Sequence, residues 1–214
     1  LLAAEQEGNA FSSSTRGFHF GGDPADTDIE TIVFASTGNA TDYGDLAANS
    51  KGGSGTGNRN RGIAFLGNAG NVINYFALAS TGSGIDFGDA TTNASSLTAA
   101  CGSPTRVIIG GGTGGSEVMG FVTISTLGNS QDFGDLVNGG TTYQTSSSSN
   151  STKMLATNDH SIEQIIIATL GDGTDFGDLT SNVNSRGGGC SSPTRALFGG
   201  GNDPNVNIEY VEFA

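Results

Sequence analysis

The chain has 214 residues, 36 of them Gly, and 21 acidic against 8 basic side chains give a net charge of −13. That charge repels phosphate backbones and anionic membrane surfaces, which argues against nucleic acid and membrane insertion. No apolar stretch approaches the ~20 residues of a membrane span, and the opening LLAA has neither a basic leader nor the length of a signal core, so the chain reads as soluble.

In chain order, the first stretch, FSSSTRGFHFGG, combines a small-residue strand with a strand that opens on Arg16 and runs into glycines. The acid-rich DPADTDIE at 23–30 follows, and reads as a solvated hairpin loop or, alternatively, an ion site. The period-two run IETIVFAS is the next strand, and TDYGDLA at 41–47 a short aromatic segment. The same order then recurs. The basic residue opening a strand returns as Arg61, Arg106, Lys153 and Arg195, at intervals of 45, 45, 47 and 42 residues from Arg16. The alternating run returns as INYFALAS, MGFVTIST, IEQIIIAT and IEYVEFA, and the aromatic segment as IDFGDAT, QDFGDLV and TDFGDLT.

Five repeats of about 45 residues, each of three to four short strands with glycine-rich turns and no helical spacing, predict antiparallel meanders stacked about an axis. The expected fold is all-β, a single five-bladed β-propeller over 1–214 with blades at about 1–45, 46–89, 90–135, 136–178 and 179–214. Val107–Ile109 and Ala196–Phe198 are expected on equivalent inner strands of the third and fifth blades. The aspartate–aromatic segment occurs four times because Leu1 corresponds to Leu46, Leu136 and Leu179, and Ala214 to Ala35, Ala79 and Ala168. The missing copy falls at the closure, where face packing between last and first blades is expected, unless the natural chain continues past Ala214. The first residue is Leu, as expected of a processed or excised chain.

A glycine doublet after an apolar strand, an Ile-Glu-Tyr-type strand and an aromatic before a DL segment resemble the kelch repeat. SSPTRALFGGG…IEYVEFA…TDFGDLT is similar to the kelch-like repeats of structural proteins in tailed phages, notably those of marine cyanobacteria. Nearly the whole chain is covered. The resemblance implies a kelch-like propeller in a virion or extracellular setting. With no Trp, and Tyr43, Phe87, Phe133 and Phe176 where one would stand, the partner roles of ordinary kelch proteins do not transfer.

The repeated aromatic should wedge between blades, with glycine allowing a close turn. Asp42 and Asp45, Asp86 and Asp89, Asp132 and Asp135, and Asp175 and Asp178 are expected to bond turn amides or basic neighbours. Each pair supplies too few carboxylates for an EF-hand-like calcium site, so a turn is favoured over a metal. Arg16, Arg61, Arg106, Lys153 and Arg195 are read as inter-blade ties to those aspartates or to adjacent carbonyls, the alternative being solvated strand ends. Cys101 and Cys190 hold equivalent sites in two repeats, too far apart to bond, and read as inert core thiols. His19 and His160 lack zinc spacing, and the GGG triplets at 110–112 and 199–201 lack the Lys-Ser/Thr of a phosphate loop.

No catalytic set and no cofactor emerges. The expected function is a non-enzymatic virion module, on a tail fibre or the capsid, touching other virion proteins or host-surface glycans through loops 23–28, 49–60, 138–150 and 157–160. The alternative is a multivalent lectin, and a kelch-like sugar oxidase or hydrolase ranks below both. A homo-oligomer is compatible with any of these.

Overall fold

A computed structural model describes every residue except 3–5, 92–97, 113–115, 138–145, 182, 184–186, 201–206 and 214. The described chain contains strands and no helix. β1 (Asn9–Ser12), β2 (Arg16–Phe20), β3 (Asp26–Val33) and β4 (Thr41–Ser50) form the first sheet, in chain order and antiparallel. The second holds β5 (Ser54–Gly57), β6 (Arg61–Phe65), β7 (Val72–Ala77) and β8 (Ile85–Asp89), and the third β9 (Ala99–Gly102), β10 (Arg106–Gly110), β11 (Val118–Thr123) and β12 (Gln131–Asp135). β13 (Ser146–Ser149), β14 (Lys153–Asn158), β15 (Ser161–Ile166) and β16 (Thr174–Asp178) make the fourth. The fifth has three strands, β17 (Gly187–Ser191), β18 (Arg195–Gly200) and β19 (Ile208–Glu212). The chain is a five-bladed β-propeller.

Strand alternation sends one set of side chains forward to the next blade and the other set back. Phe18 and Phe20 of the first blade thus meet Ala64 and Phe76 of the second, and Ile63 and Phe65 meet Val107 and Ile109. Likewise Ile108 meets Met154 and Ala156, and Leu155 meets Ala196 and Phe198. The core is therefore four inter-blade layers rather than one central mass, as expected of sheets that cannot cover both faces alone.

Two expectations are corrected. Val107–Ile109 and Ala196–Phe198 do lie on equivalent strands, β10 and β18, but these are second strands; the strands that meet nearest the axis are the first ones, β1 against β5, β5 against β9, β9 against β13 and β13 against β17. The reason is size: blades converge there, and the SGTG, AACG, SSSS and GGGCS strands bring the small side chains that fit. A Cβ on Gly189, for example, would stand 2.3 Å from the Ser147 carbonyl oxygen.

The second correction concerns the seam. No buried cluster joins the fifth blade to the first among the described residues. Ile32 and Phe34, on the first blade's backward face, are 45% and 55% exposed, although their equivalents Phe76 and Leu78 are buried. Face packing needs two apolar surfaces in contact; here both stay open.

Candidate functional site

The turns joining first to second strands share a sequence device that spacing alone does not reveal: Ser or Asn three residues before each basic residue. Ser13 Oγ accepts from the amides of Thr15 and Arg16 at 3.3 and 3.1 Å, and Asn58 Oδ1 from those of Asn60 and Arg61 at 2.9 Å each. Ser103, Asn150 and Ser192 cap the corresponding turns in the same way. Asn58 and Asn150 also donate from Nδ2 to the carbonyls of Pro104 and Pro193 in the next blade, at 2.9 and 3.3 Å, so the turns are knitted sideways.

These five turns, at 12–14, 57–60, 102–104, 149–151 and 191–193, surround one axial mouth of about 610 Å³. Its lining is hydroxyls, amides, Gly and Pro, with Arg59 as its single charged side chain. Among the described residues no His, Cys, Asp or Glu contributes. The mouth therefore offers hydrogen-bonding groups and the exposed Arg59 guanidinium. The contact loops expected from sequence divide between the two ends of the molecule, because antiparallel strands alternate direction. Residues 57–60 are at the mouth, whereas 23–28 and the 157–160 hairpin lie at the opposite end. Of loop 49–60, residues 49–50 and 54–57 are strand. Of 138–150, residues 138–145 fall outside the described residues.

Arg61 Nη1 donates to Ile124 O at 2.9 Å and Arg106 Nη1 to Ile167 O at 2.8 Å, each carbonyl belonging to the following blade. Both guanidinium groups also lie over a ring of their own blade, at 4.8 Å from Tyr75 and 4.4 Å from Phe121. Arg195 covers Tyr210 at 4.8 Å but pairs with Glu212 of its own blade at 3.3 Å. In the first blade, the Tyr43 hydroxyl donates to the Ala77 and Ser80 carbonyls of the second, with Arg16 nearby. Burial pushes the Tyr43 pKa up, and the Arg16 charge opposes that. Lys153 holds the same strand position, half-buried. Arg106→Ala is expected to cost about 1–3 kcal/mol by orphaning the buried Ile167 carbonyl, against under about 0.5 kcal/mol for exposed Arg59→Ala; urea unfolding of both variants checks this.

In the aspartate segments the main chain, not the carboxylates, makes the inter-blade clasp. Tyr43, Phe87 and Phe133 are buried, and their carbonyls accept from Gly82, Gly128 and Gly171 of the next blade at 3.0, 2.8 and 2.8 Å. The amides of Asp45, Asp89 and Asp135 donate to Ser83 Oγ, Asn129 Oδ1 and Asp172 Oδ1. All eight motif aspartates, Asp42, Asp45, Asp86, Asp89, Asp132, Asp135, Asp175 and Asp178, are exposed. The pleat turns the first aspartate of each pair, next to the inward aromatic, to solvent. The second lies two residues on and would share the aromatic's face, but the intervening Gly44, Gly88, Gly134 and Gly177, at φ 141–149°, and the register shift of the ladder there break the alternation.

A further tie has a weaker sequence signal. The residue two after each GD segment donates its amide to a polar side chain of the next blade, as Ala47 does to Asn74 Oδ1, Val137 to Glu163 Oε2 and Thr180 to Glu209 Oε2, at 2.8, 2.8 and 2.7 Å. Leu2 does so to Glu30. Where Gly120 leaves no side chain, Ser130 Oγ accepts from Thr91 at 2.7 Å. The Glu of the IE pair was thus legible only as part of a strand pattern.

Cys101 is buried and Cys190 exposed, and both are free thiols. Burial pushes the Cys101 pKa up, and hydrogen bonding with Ser147, to whose Oγ the thiol donates at 3.1 Å, and with Ser149 opposes this. Cys190 stands on the open face of the fifth blade, so the expected core setting does not hold for it. Burial lowers the His19 pKa, against the charges of Glu30 and Asp26. The acidic segment 23–30, expected as a loop, is strand from Asp26 onward, because its Ile29 and Glu30 already belong to the buried β3 ladder. Within it burial and then the charges of Asp26, Asp45, Asp42 and Glu30 raise the Asp28 pKa. Among the described residues no group of three or more His, Cys, Asp or Glu is placed to hold a metal ion.

No protein-family profile and no curated protein matches the chain. Among solved structures it is similar to one described as the structure of YjhT, with a TM-score of 0.72 over 93% of this chain and 73% of that one. Identity is 9%. Such a likeness carries the propeller fold alone.

Proposed function

We propose that this chain is a non-enzymatic adhesion module of a phage particle, working on a tail fibre or the capsid and gripping host-surface glycans at the axial mouth. What supports the reading is the composition of that mouth: hydroxyls and amides from five turns, one guanidinium and, among the described residues, no group that exchanges a proton near neutrality. Hydroxyl and amide groups suit sugar hydroxyls, and Arg59 suits a carboxylate-bearing sugar bidentately. Because the five turns converge on one cavity, a single shared glycan fits better than five separate lectin sites. The particle setting rests on the repeat resemblance.

A glycan array probed with residues 1–214 is expected to retain acidic glycans, and Arg59→Ala to lose them without a change in unfolding midpoint. A flat array would remove the glycan part and leave contacts with other virion proteins. Sugar turnover abolished by one substitution would overturn the non-enzymatic reading.

A further inference from the structure

At the junction of the first and second blades, the Tyr43 hydroxyl donates to two carbonyls, those of Ala77, which ends β7, and Ser80 in the loop that follows. Two registers carry this pair of carbonyls over to the next junction. Ala77 pairs with Arg61 as Thr123 pairs with Arg106. The amide of Gly82, two residues after Ser80, donates to the Tyr43 carbonyl, as that of Gly128, two residues after Thr126, donates to the Phe87 carbonyl. Thr123 and Thr126 therefore stand where Ala77 and Ser80 do, and Phe87 stands in the place of Tyr43 without its hydroxyl.

The place of that missing oxygen is open. Phe87 of the second blade and Thr123 and Thr126 of the third line a cavity of about 250 Å³. The buried Phe121 and Val122 add apolar wall, and the exposed Asn129 and Gln131 add side-chain amides. The volume is several times the ~30 Å³ that one water occupies in the liquid. No charged side chain lines it among the described residues. An ammonium would lack a counter-ion there and a carboxylate would meet carbonyl oxygens, so the chemistry suits a neutral hydrogen-bond donor.

We propose that this cavity between the second and third blades binds a small neutral polyol, of the size of glycerol up to one sugar ring, whose hydroxyl takes the place that the Tyr43 hydroxyl holds one junction earlier. The hydroxyl donates to the Thr123 and Thr126 carbonyls, and the carbon skeleton lies against Phe87 and Val122. The site shares no lining residue with the axial mouth and does not depend on the glycan reading of it.

The test titrates the 214-residue chain with glycerol and, separately, with a neutral methyl hexoside, and follows the backbone amides by NMR. Saturable shifts at 126–129 are expected, with an affinity about millimolar for ligands of so few atoms. A response to glycerol places a simple polyol in the cavity, and one to the hexoside alone a sugar ring. Phe87→Tyr, which supplies the hydroxyl from the protein, is expected to weaken binding about tenfold or more and to raise the unfolding midpoint. Tyr43→Phe, which installs the residue carried by the other three copies, is expected to open the same site one junction earlier and bring saturable shifts to 80–83. Four results would overturn the proposal: no saturable shift at 126–129 with either probe, shifts there that survive Phe87→Tyr, no shifts at 80–83 in Tyr43→Phe, or shifts confined to 57–60 that Arg59→Ala removes, which would assign the polyol to the mouth.

Discussion

Gly134→Ala is expected to destabilise the propeller by about 2–6 kcal/mol, combining about 1–3 kcal/mol for a conformation L-residues avoid with a similar cost of overpacking. Gly134 has φ 141°, and a Cβ there would stand 2.5 Å from the backbone carbon and oxygen of Gly171 in the next blade. Backbone on both sides cannot yield as a flexible side chain would. Gly177 provides the control: φ is again 141°, but a Cβ meets nothing within 4 Å. Gly177→Ala should carry only the conformational part, about 1–3 kcal/mol. The gap between the two urea midpoints, at equal m-values, measures the close approach of the third and fourth blades. Equal midpoints would mean that the Gly134 clasp contributes nothing.

Phe133→Ala is expected to cost about 3–5 kcal/mol, the range for emptying a large aromatic site that cannot collapse. Its ring is buried and lies edge-on to Phe121 in the layer shared with Met154, Ala156 and Ile165. Both neighbouring sheets are held by their own ladders, so the walls of the cavity have little freedom to close. Phe176→Ala, removing a half-buried ring in the layer between the fourth and fifth blades, should cost clearly less. Because each layer couples only adjacent blades, loss of one weakens a junction rather than a common core, and the Phe133 variant is expected to broaden the unfolding transition. Calorimetry reads this as a van't Hoff enthalpy below the calorimetric one.

The repeat, the strand order within it and the inward aromatic were legible because each is written in local pattern: a period near 45, alternation of two, and glycine where the chain turns. The capped turns of the mouth are equally local, written in the Ser or Asn three residues before Arg16, Arg61, Arg106, Lys153 and Arg195. The partners of those basic residues were not legible. Arg106 could reach a carboxylate or a carbonyl by spacing alone, and only the packing of the fourth blade puts Ile167 O within 2.8 Å.

By itself, then, the sequence determined an all-β chain of five equivalent units, with apolar residues alternating along each strand and an aromatic at the end of four of them. Side-chain periodicity and turn chemistry are short-range properties, fixed within a few residues whatever lies beyond. Only the tertiary structure decided what lies across a gap in sequence: that clasps run through main-chain groups while the aspartates face solvent, that five turns share one mouth around Arg59, and that Cys190, Leu197 and Tyr210 stand exposed where their equivalents elsewhere are covered. The physical reason is that identical repeats become inequivalent only through their neighbours, and a neighbour is a fact of three dimensions.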